Sequence, residues 1–242
     1  MIPNADTGYT AETWEFDEEV TRVFENMLTR SIPGYTSMRE VVTAAAVQYA
    51  AGGGLIADLG LSLGNALLPI MRACRRQNTY EGYEISEPML IAARETFRHF
   101  PDDATVTIHR HDLRDGVPVG EPWRVVLLVL TLMFVPVEYR QNILSGIYQR
   151  LSDGGALIIV EKVLADDAEI NARLVDMYHD YKRDHGYSDD AIDRKRLALE
   201  GVLVPLRGSE NERILRSVGF TQVECIWRYL NFAGWLAVRE TG

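Results

Sequence analysis

Three carboxylates, Asp58, Glu84 and Asp112, each end or directly follow a short segment that is typical of a β-strand. Carboxylates at the ends of parallel strands accept strong, charge-assisted hydrogen bonds from a ligand beyond that edge of the sheet. We therefore expect Glu84 to accept hydrogen bonds from both hydroxyl groups of a ribose. Asp112 would bind the exocyclic amine of an adenine, and the next residue, Leu113, would cover the ring. Asp58 would organise the turn after the first strand and its contacts with the ligand.

The turn after the first strand, Gly60–Gly64, reads GLSLG. Its glycine spacing differs from the G-x-G-x-x-G pattern that holds a pyrophosphate, and no Gly-Lys-Ser/Thr follows as in a Walker loop. Such a turn suits a nucleoside without phosphates, although many α/β proteins have one for packing alone. Together with the three acids in order, it predicts a site for S-adenosylmethionine (SAM). The residues expected to bind the cofactor are Asp58, Gly60, Leu61, Ser62, Gly64, Glu84, Ile85, Asp112 and Leu113.

Alternating strands and helices are predicted to position these residues. Two helices come first, over 16–29 and 36–50, and residues 13–52 would form an N-terminal helical cap. Strands alternating with helices of this length imply right-handed βαβ units and a doubly wound, mostly parallel sheet, in an α/β fold. Strands are expected near 55–59, 79–84, 105–110, 124–130 and 156–161, with helices over 64–76, 88–99 and 136–151.

The pattern changes after the fifth strand. Residues 166–207 read as a helical insert or lid, too long for a simple crossover, with a break at 185–188. A helix near 210–218 follows. Two strands, 221–227 and 230–239, are joined by a short turn and should pair as an antiparallel hairpin. We expect residues 1–242 to form a single SAM-binding domain.

Composition narrows the class of function. Apolar residues make up 47% of the 242 residues, enough for a full core, and the formal net charge of −10 makes nucleic acid an unlikely direct ligand. Cys74 and Cys225 belong to no Cys/His cluster, so we expect neither structural zinc nor another metal. The apolar run 125–130 is too short to span a bilayer and no secretion signal is evident. We expect a cytoplasmic protein that acts on a small molecule.

Two motifs are particular to one family: RSIPGY at Arg30–Tyr35 and the region around Lys195-Arg196. Over residues 14–239 the chain resembles the carboxy-S-adenosylmethionine synthases, which belong to the class I SAM-dependent methyltransferases. The other segments that carry the resemblance, several of them found in many methyltransferases, are 16–18, 58–64, 131–134, 154–157, 161–162, 179–183, 186–188 and 231–232.

The resemblance implies a Rossmann-like class I methyltransferase fold with a mostly parallel seven-stranded sheet. Enzymes of this family convert SAM to carboxy-SAM with prephenate as carboxyl donor, in the pathway that modifies the wobble uridine of tRNA. The resemblance places Tyr35 near the cofactor as a catalytic residue and gives Arg30 a role in substrate binding. Arg196 would hold the new carboxylate, because a guanidinium forms a bidentate pair with it. It further implies a homodimer, for which the insert offers apolar surface at Leu174, Met177, Tyr178 and Tyr181.

Two positions depart from the family pattern and keep other functions open. Leu61 stands where the family turn usually has Cys. Val129, included in the predicted cofactor site, stands where the fourth strand usually ends in Asn. An ordinary SAM-dependent methyltransferase and a non-catalytic SAM-binding protein are the alternatives. Tyr178-His179 and His185 are either acid/base groups or, as we favour, surface and lid residues of the insert.

Overall fold

A twisted, mostly parallel sheet forms the centre of the protein. The computed structural model describes residues 13–74, 77–98, 100 and 106–241. The strands are β1 (Gly54–Leu59), β2 (Asn78–Glu84), β3 (Val106–Arg110), β4 (Trp123–Val129), β5 (Leu151–Leu164), β6 (Leu206–Arg207), β7 (Gln222–Tyr229) and β8 (Phe232–Val238). Their order is β3-β2-β1-β4-β5-β8-β7, with β6 paired to β5 outside this path.

The strand order reverses between β1 and β4, because the chain moves outward from β1 to β3 and then returns to the other side of β1. Parallel pairing runs from β3 to β5, and β8 joins β5 and β7 antiparallel. This confirms the predicted α/β fold and its C-terminal hairpin. The predicted seven strands become eight in the described residues, because the two-residue β6 is too short to give a periodic signal.

The helices lie close to their predicted positions. They are α1 (Glu18–Ser31), α2 (Tyr35–Ala50), α3 (Leu67–Cys74), α4 (Glu87–Arg98), α5 (Val137–Arg150), α6 (Ala168–Asp184), α7 (Asp189–Ala198) and α8 (Gly208–Ser217). The predicted helix ends at 76 and 99 and the strand start at 105 lie outside the described residues.

Helix α3 begins three residues later than the predicted start at 64. Ser62 (φ 47°) and Gly64 (φ 85°) have left-handed backbone conformations, which a right-handed helix excludes. The Gly64 N–H instead donates to the Leu61 carbonyl at 2.8 Å and closes a turn. The chain therefore makes a longer loop at the carboxyl end of β1 than hydrophobic periodicity indicates.

Both faces of the sheet are covered. Along β4, Val125 and Leu127 pack into a cluster with α2 and α3, while Val126 and Leu128 pack into a second cluster with α5. This alternation explains why the strand is apolar throughout. Helix α2 belongs to the first cluster through a row of buried residues from Tyr35 to Ala50. No helix in the described part of the chain is long and apolar enough to cross a membrane.

The insert consists of α6 and α7. Asp167 caps the N-terminus of α6, where its carboxylate accepts from the Ile170 N–H. Ser188 caps α7 in the same way, with its hydroxyl group accepting from the Ala191 N–H. The predicted break at 185–188 separates them. Tyr178, predicted as exposed apolar surface, is only 6% exposed because it packs on Phe232 of β8. The insert therefore lies against the carboxyl edge of the sheet.

Candidate active site

A cavity of about 1000 Å³ opens at the carboxyl ends of β1, β2 and β4, where the strand order reverses. Helices α2, α6 and α7 complete its wall. Open α/β sheets bind their ligands at this position. The predicted site residues that line it are Tyr35, Asp58, Gly60, Leu61, Ser62, Glu84, Ile85, Asp112, Leu113, Val129 and Arg196. The predicted residues that do not are Gly64 and Arg30.

The Gly60–Gly64 turn is fixed by close packing. A Cβ at Gly60 would lie 2.3 Å from the Thr131 Oγ1, so only glycine lets the β1 and β4 ends approach. Gly64 serves packing, since a Cβ there would meet the Phe97 ring at 2.4 Å. The N–H groups of Gly60 and Leu61 both donate to the Tyr83 carbonyl, at 2.8 and 2.9 Å. The turn is thereby fastened to the end of β2.

Leu61 fills space that a glycine on the neighbouring strand leaves open. It is 2% exposed, and a Cβ at Gly82 would lie 2.5 Å from its Cδ2. The two residues are therefore matched in volume. Val129 is partly buried at the end of β4 and adds an apolar surface to the cavity. No side-chain hydrogen bond to a ligand is available from either residue.

Glu84 holds three backbone groups at once. One carboxylate oxygen accepts from the Ser62 N–H at 2.9 Å, and the other accepts from Ile85 and Ser86 at 2.8 and 2.9 Å. The side chain is 8% exposed and lines the cavity. Each carboxylate oxygen keeps lone-pair capacity for a further donor. Glu84 thus links the turn to β2 and still presents an anion to a ligand.

Asp58 presents a buried carboxylate oxygen without a partner. The residue is 2% exposed, and among the described residues its Oδ2 accepts no hydrogen bond. Burial, and secondarily the charge of Glu84, raise its pKa well above the ordinary value. A cationic donor in the cavity would offset this cost. SAM carries an ammonium group and a sulfonium, so the acidic end of the cavity fits SAM chemically.

Asp112 is already paired on the protein. Its carboxylate accepts from the Arg114 side chain in a forked arrangement, with Nε at 2.8 Å from Oδ2, and from the Arg114 N–H at 2.9 Å. These hydrogen bonds lower the pKa of Asp112. Leu113, 8% exposed, opens a short 3-10 turn directly after it. The pairing keeps Asp112 ionised beside the apolar Leu113. The carboxylate suits the edge of an adenine, and the leucine side chain suits its face.

Tyr35 lies at the N-terminus of α2 with its hydroxyl group at the cavity. Asn65 donates to that hydroxyl at 3.4 Å, and Arg39 lies 5.6 Å from the ring centroid. Burial raises the pKa of Tyr35, so the hydroxyl stays protonated and can donate to a ligand.

Arg196, a predicted site residue, is an exposed cation at the cavity wall. Its side chain is 55% exposed, and its ion-pair partner in the described structure is the exposed Asp193 at 3.6 Å. Such a pair contributes little, so the guanidinium remains available to an anion. The preceding Lys195 instead packs inward, with its Nζ 3.4 Å from the Ser31 Oγ and 5.3 Å from the Trp14 ring centroid.

Arg30 contacts the insert rather than the cavity. Its Nε donates to the His185 carbonyl at 2.8 Å and one terminal nitrogen donates to the Gly186 carbonyl at 2.9 Å. The guanidinium also lies 4.5 Å from the centroid of the Tyr187 ring. Arg30 therefore fastens the turn between α6 and α7. His185 is exposed and stacks on Tyr181, away from the cavity.

The cavity wall includes cationic and titratable side chains that are not among the predicted site residues. Lys162, at the carboxyl end of β5, lines the cavity, as do His179 and Lys182 of α6. Ligands bind beyond the carboxyl ends of parallel strands, and this applies to β5 as it does to β1, β2 and β3. In the sequence, Lys162 belongs to the 161–162 segment of the family resemblance and carries no predicted role of its own. For His179 the sequence favours a surface or lid position over an acid/base role, and the structure places it partly buried at the cavity wall.

Metal ligation has no candidate in the described residues, where no group of three or more His, Cys, Asp or Glu side chains is placed to hold an ion. The donor set at the cavity consists of separate carboxylates and cations. This set is suited to an organic ligand with groups of both charges.

Several solved structures with this fold are methyltransferases. An O-methyltransferase family protein from Burkholderia thailandensis has a TM-score of 0.65 and 19% identity, over 94% of this chain and 61% of that longer one. Human N-acetylserotonin methyltransferase, solved in complex with SAM, has a TM-score of 0.62 and 16% identity, over 93% and 56%. At these identities the likeness shows the fold alone.

Sequence comparison is more specific. Residues 56–155 match the family model described as a methyltransferase domain. The carboxy-S-adenosyl-L-methionine synthase of Chromohalobacter salexigens is 37% identical over 94% of this chain and 84% of its own length. The enzyme of the same name from Shewanella amazonensis is 35% identical over 97% and 96%. The chain belongs to the carboxy-S-adenosyl-L-methionine synthase family, within the class I SAM-dependent methyltransferase superfamily, and is a SAM-dependent transferase.

Proposed function

We propose that this protein transfers a carboxyl group from prephenate to the methyl carbon of SAM and so forms carboxy-SAM. The observation that carries the proposal is the charge arrangement of one cavity. Asp58 and Glu84 form an acidic group that suits the cationic substrate, and Arg196, whose ion-pair partner is an exposed Asp193, supplies a cation to the same cavity. A product with a new carboxylate beside a sulfonium has the complementary charges.

The proposed reaction balances without an external oxidant or reductant. The bond between the prephenate ring and its carboxylate breaks, carbon dioxide is released, and the electron pair expels the ring hydroxide to give phenylpyruvate. The SAM methyl carbon loses one proton, which the hydroxide takes up as water, and forms the new carbon–carbon bond to carbon dioxide. The protein's task is to bind both substrates together and keep carbon dioxide next to the methyl group.

The side chains divide this task by position. Glu84 accepts from the ribose hydroxyl groups, Asp112 binds the adenine amine, and Leu113 covers the ring. Asp58 meets the cationic end of SAM. Tyr35, whose hydroxyl group is protonated, also lines the cavity and donates to prephenate or to the developing carboxylate.

Arg196 favours binding of the carboxylated product over binding of SAM. Its positive charge repels the sulfonium of SAM and attracts the carboxylate of carboxy-SAM. An ordinary methyltransferase, the second candidate function, gains nothing from this residue. The aliphatic Val129, in place of the family's Asn, favours that second candidate because it removes one polar contact.

Replacement of Arg196 separates the two functions. Arg196→Met keeps much of the side-chain length and removes the charge, so carboxy-SAM affinity should fall about ten- to hundredfold, while SAM affinity should change little or rise. Arg194→Met, on an exposed part of α7 outside the cavity lining, is the matched control. Calorimetry with both ligands measures the effect. If Arg196→Met binds carboxy-SAM as tightly as wild type does, and SAM as well, Arg196 does not bind the carboxylate.

We further infer a cytoplasmic homodimer whose product enters the pathway that modifies tRNA. The net charge of −10 supports action on a small molecule rather than on the nucleic acid itself. Met177 on the outer face of α6 is 52% exposed, which supports an association surface there.

A further inference from the structure

The lysines of this chain are confined to one place. The sequence has 25 Lys and Arg residues, of which three are lysines, Lys162, Lys182 and Lys195, and all three line the cavity. Elsewhere the chain uses arginine. Lysine presents a compact point charge with three donors, whereas arginine presents a wide fork. Lysine therefore suits a small anionic group in a narrow part of the cavity.

Lys162 and Lys182 converge on the same aromatic ring. Their ammonium groups lie 4.9 and 4.5 Å from the centroid of Tyr178. Lys162 comes from the end of β5, and Lys182 from α6, where it is 6% exposed. The fold thus brings two ammonium groups from distant segments to the same side chain at the cavity wall.

One of these two charges, that of Lys162, has no carboxylate beside it in the part of the chain that the structure describes. Among the described residues, no carboxylate forms an ion pair with the Lys162 Nζ, and burial lowers the pKa of Lys162 to about 8. Glu161, the adjacent carboxylate, belongs to the opposite face of β5, where Arg140 is its cationic neighbour. The pKa of His179 is lowered by burial and then by Lys182, Arg183 and Lys162. Three cations, opposed by the single carboxylate of Asp176, therefore act on His179.

We propose that Lys162 and Lys182 bind the carboxylate that the donor keeps, as distinct from the carboxylate that it transfers. This assignment rests on the proposed function. Prephenate carries two carboxylates. One leaves as carbon dioxide and is found again in carboxy-SAM, where Arg196 binds it. The other stays on the pyruvyl side chain and leaves with phenylpyruvate, so it needs a separate cationic site.

The position of the lysine pair suits this role. Strand β5 is two strands from β1, so Lys162 is displaced by about 10 Å across the sheet from the acidic end that receives SAM. A ring-sized donor fits between the two ends. Its apolar ring would meet Tyr178 and Phe232, which line the cavity beside the lysines with their ring centroids 5.7 Å apart.

Steady-state kinetics with the full-length protein tests the assignment. Lys162→Met and Lys182→Met should each raise the KM for prephenate about ten- to hundredfold, the loss expected for a charge-assisted contact. Affinity for SAM and carboxy-SAM should stay within about twofold, which also shows that the variants are folded. Lys162→Arg should recover part of the loss. Arg173→Met, an exposed residue of α6 paired with Glu169, is the control and should match wild type.

Phenylpyruvate supplies an independent readout because it keeps only the carboxylate in question. It should inhibit wild type competitively with prephenate and should inhibit Lys162→Met and Lys182→Met at least about tenfold more weakly. Unchanged prephenate KM and unchanged inhibition in both variants, with wild type active, would overturn the subsite and leave the reaction standing. If wild type forms no carboxy-SAM, calorimetry with prephenate tests the subsite independently of the reaction. Weaker prephenate binding by Lys162→Met and Lys182→Met than by wild type would support the subsite, and equal binding would overturn it.

Lysine labelling on wild type covers the case in which a variant does not fold. An amine-reactive acetylating reagent at about pH 8, where Lys162 is partly deprotonated, should modify Lys162. Prephenate should slow that modification several-fold in peptide mass spectra, and an uncharged aromatic of similar size should not. Equal modification with and without saturating prephenate would contradict the proposal.

Discussion

Glu84 shows how one side chain can both build a turn and serve a ligand. Its carboxylate holds the N–H groups of Ser62, Ile85 and Ser86 and lines the cavity. Loss of the carboxylate removes these contacts and the expected ribose contacts together. The residue therefore contributes to affinity directly and through the shape of the turn.

We predict that Glu84→Ala lowers SAM affinity by about 1.5–3 kcal/mol or more, since hydrogen bonds to a charged group are lost. Glu84→Gln keeps one acceptor oxygen and should lose less. Isothermal calorimetry measures both, with Glu87→Ala, an exposed residue of α4 outside the cavity lining, as control. SAM affinity that is unaffected by Glu84→Ala would show that the nucleoside lies elsewhere.

At the residue scale, position along a predicted strand was the informative signal. It found Asp58, Glu84 and Asp112, which the structure places along one cavity. It missed the pairing of Asp112 with Arg114, because a contact between neighbouring side chains leaves no periodic pattern in the sequence. It also missed the convergence of Lys162 and Lys182 on Tyr178, since that depends on how the insert folds back over the sheet.

At the scale of elements, the approach of the β1 and β4 ends depends on Gly60. Gly60 has φ 90° and a Cβ would collide with Thr131, while Gly116 has a similar φ of 98° and open space around it. Replacement of either glycine by alanine places a side chain at positive φ, which costs about 1–3 kcal/mol. At Gly60 alone, the collision of the new Cβ with Thr131 adds a packing cost of about 1–3 kcal/mol.

We predict that Gly60→Ala lowers stability more than Gly116→Ala and also abolishes SAM binding, whereas Gly116→Ala keeps it. Thermal unfolding with and without SAM gives both quantities. Equal destabilisation and equal SAM-dependent shifts in the two variants would mean that the β1–β4 approach does not form the site.

The insert is attached to the N-terminal helices through Arg30. Two hydrogen bonds reach the carbonyl groups of His185 and Gly186, and burial of Arg30 to 8% exposure makes them difficult to replace by water. The sequence motif predicted a substrate-binding role for this residue. Its position indicates an indirect role, through the turn that orients α7 and Arg196.

We predict that Arg30→Met lowers the free energy of unfolding by about 2–4 kcal/mol and accelerates amide hydrogen exchange at residues 185–196. Arg22→Met, exposed on the same helix, should do neither. Hydrogen-exchange mass spectrometry measures the effect. If Arg30 touches the substrate directly, prephenate KM should instead rise while exchange of the turn is unchanged.

For the whole molecule, hydrophobic periodicity was sufficient to predict the order of elements and the two-sided burial of β4. It did not predict the later start of α3, because the left-handed conformations of Ser62 and Gly64 depend on tertiary contacts with Tyr83 and Phe97. It also gave no sign of β6, whose two residues lie at the end of the insert and pair with Val163 and Leu164 of β5.

We predict that the protein is a homodimer in solution through the outer face of α6. Met177→Glu places a charge in that surface and should shift the dimer to the 27.3 kDa monomer, because burying an unpaired charge is costly. Sedimentation velocity at micromolar concentration measures the mass. A wild-type monomer at this concentration would rule the association out.

Carboxyl transfer itself is tested most directly with prephenate carrying heavy carbon in its ring carboxylate. After incubation of the wild-type protein with this prephenate and SAM, mass spectrometry should find the heavy carbon in carboxy-SAM and unlabelled phenylpyruvate in equal amount. Heavy carbon in the pyruvyl carboxylate should instead leave with phenylpyruvate. Consumption of SAM to S-adenosylhomocysteine without a labelled carboxy-SAM, or no reaction of either substrate with a folded, SAM-binding protein, would contradict the proposal of carboxyl transfer.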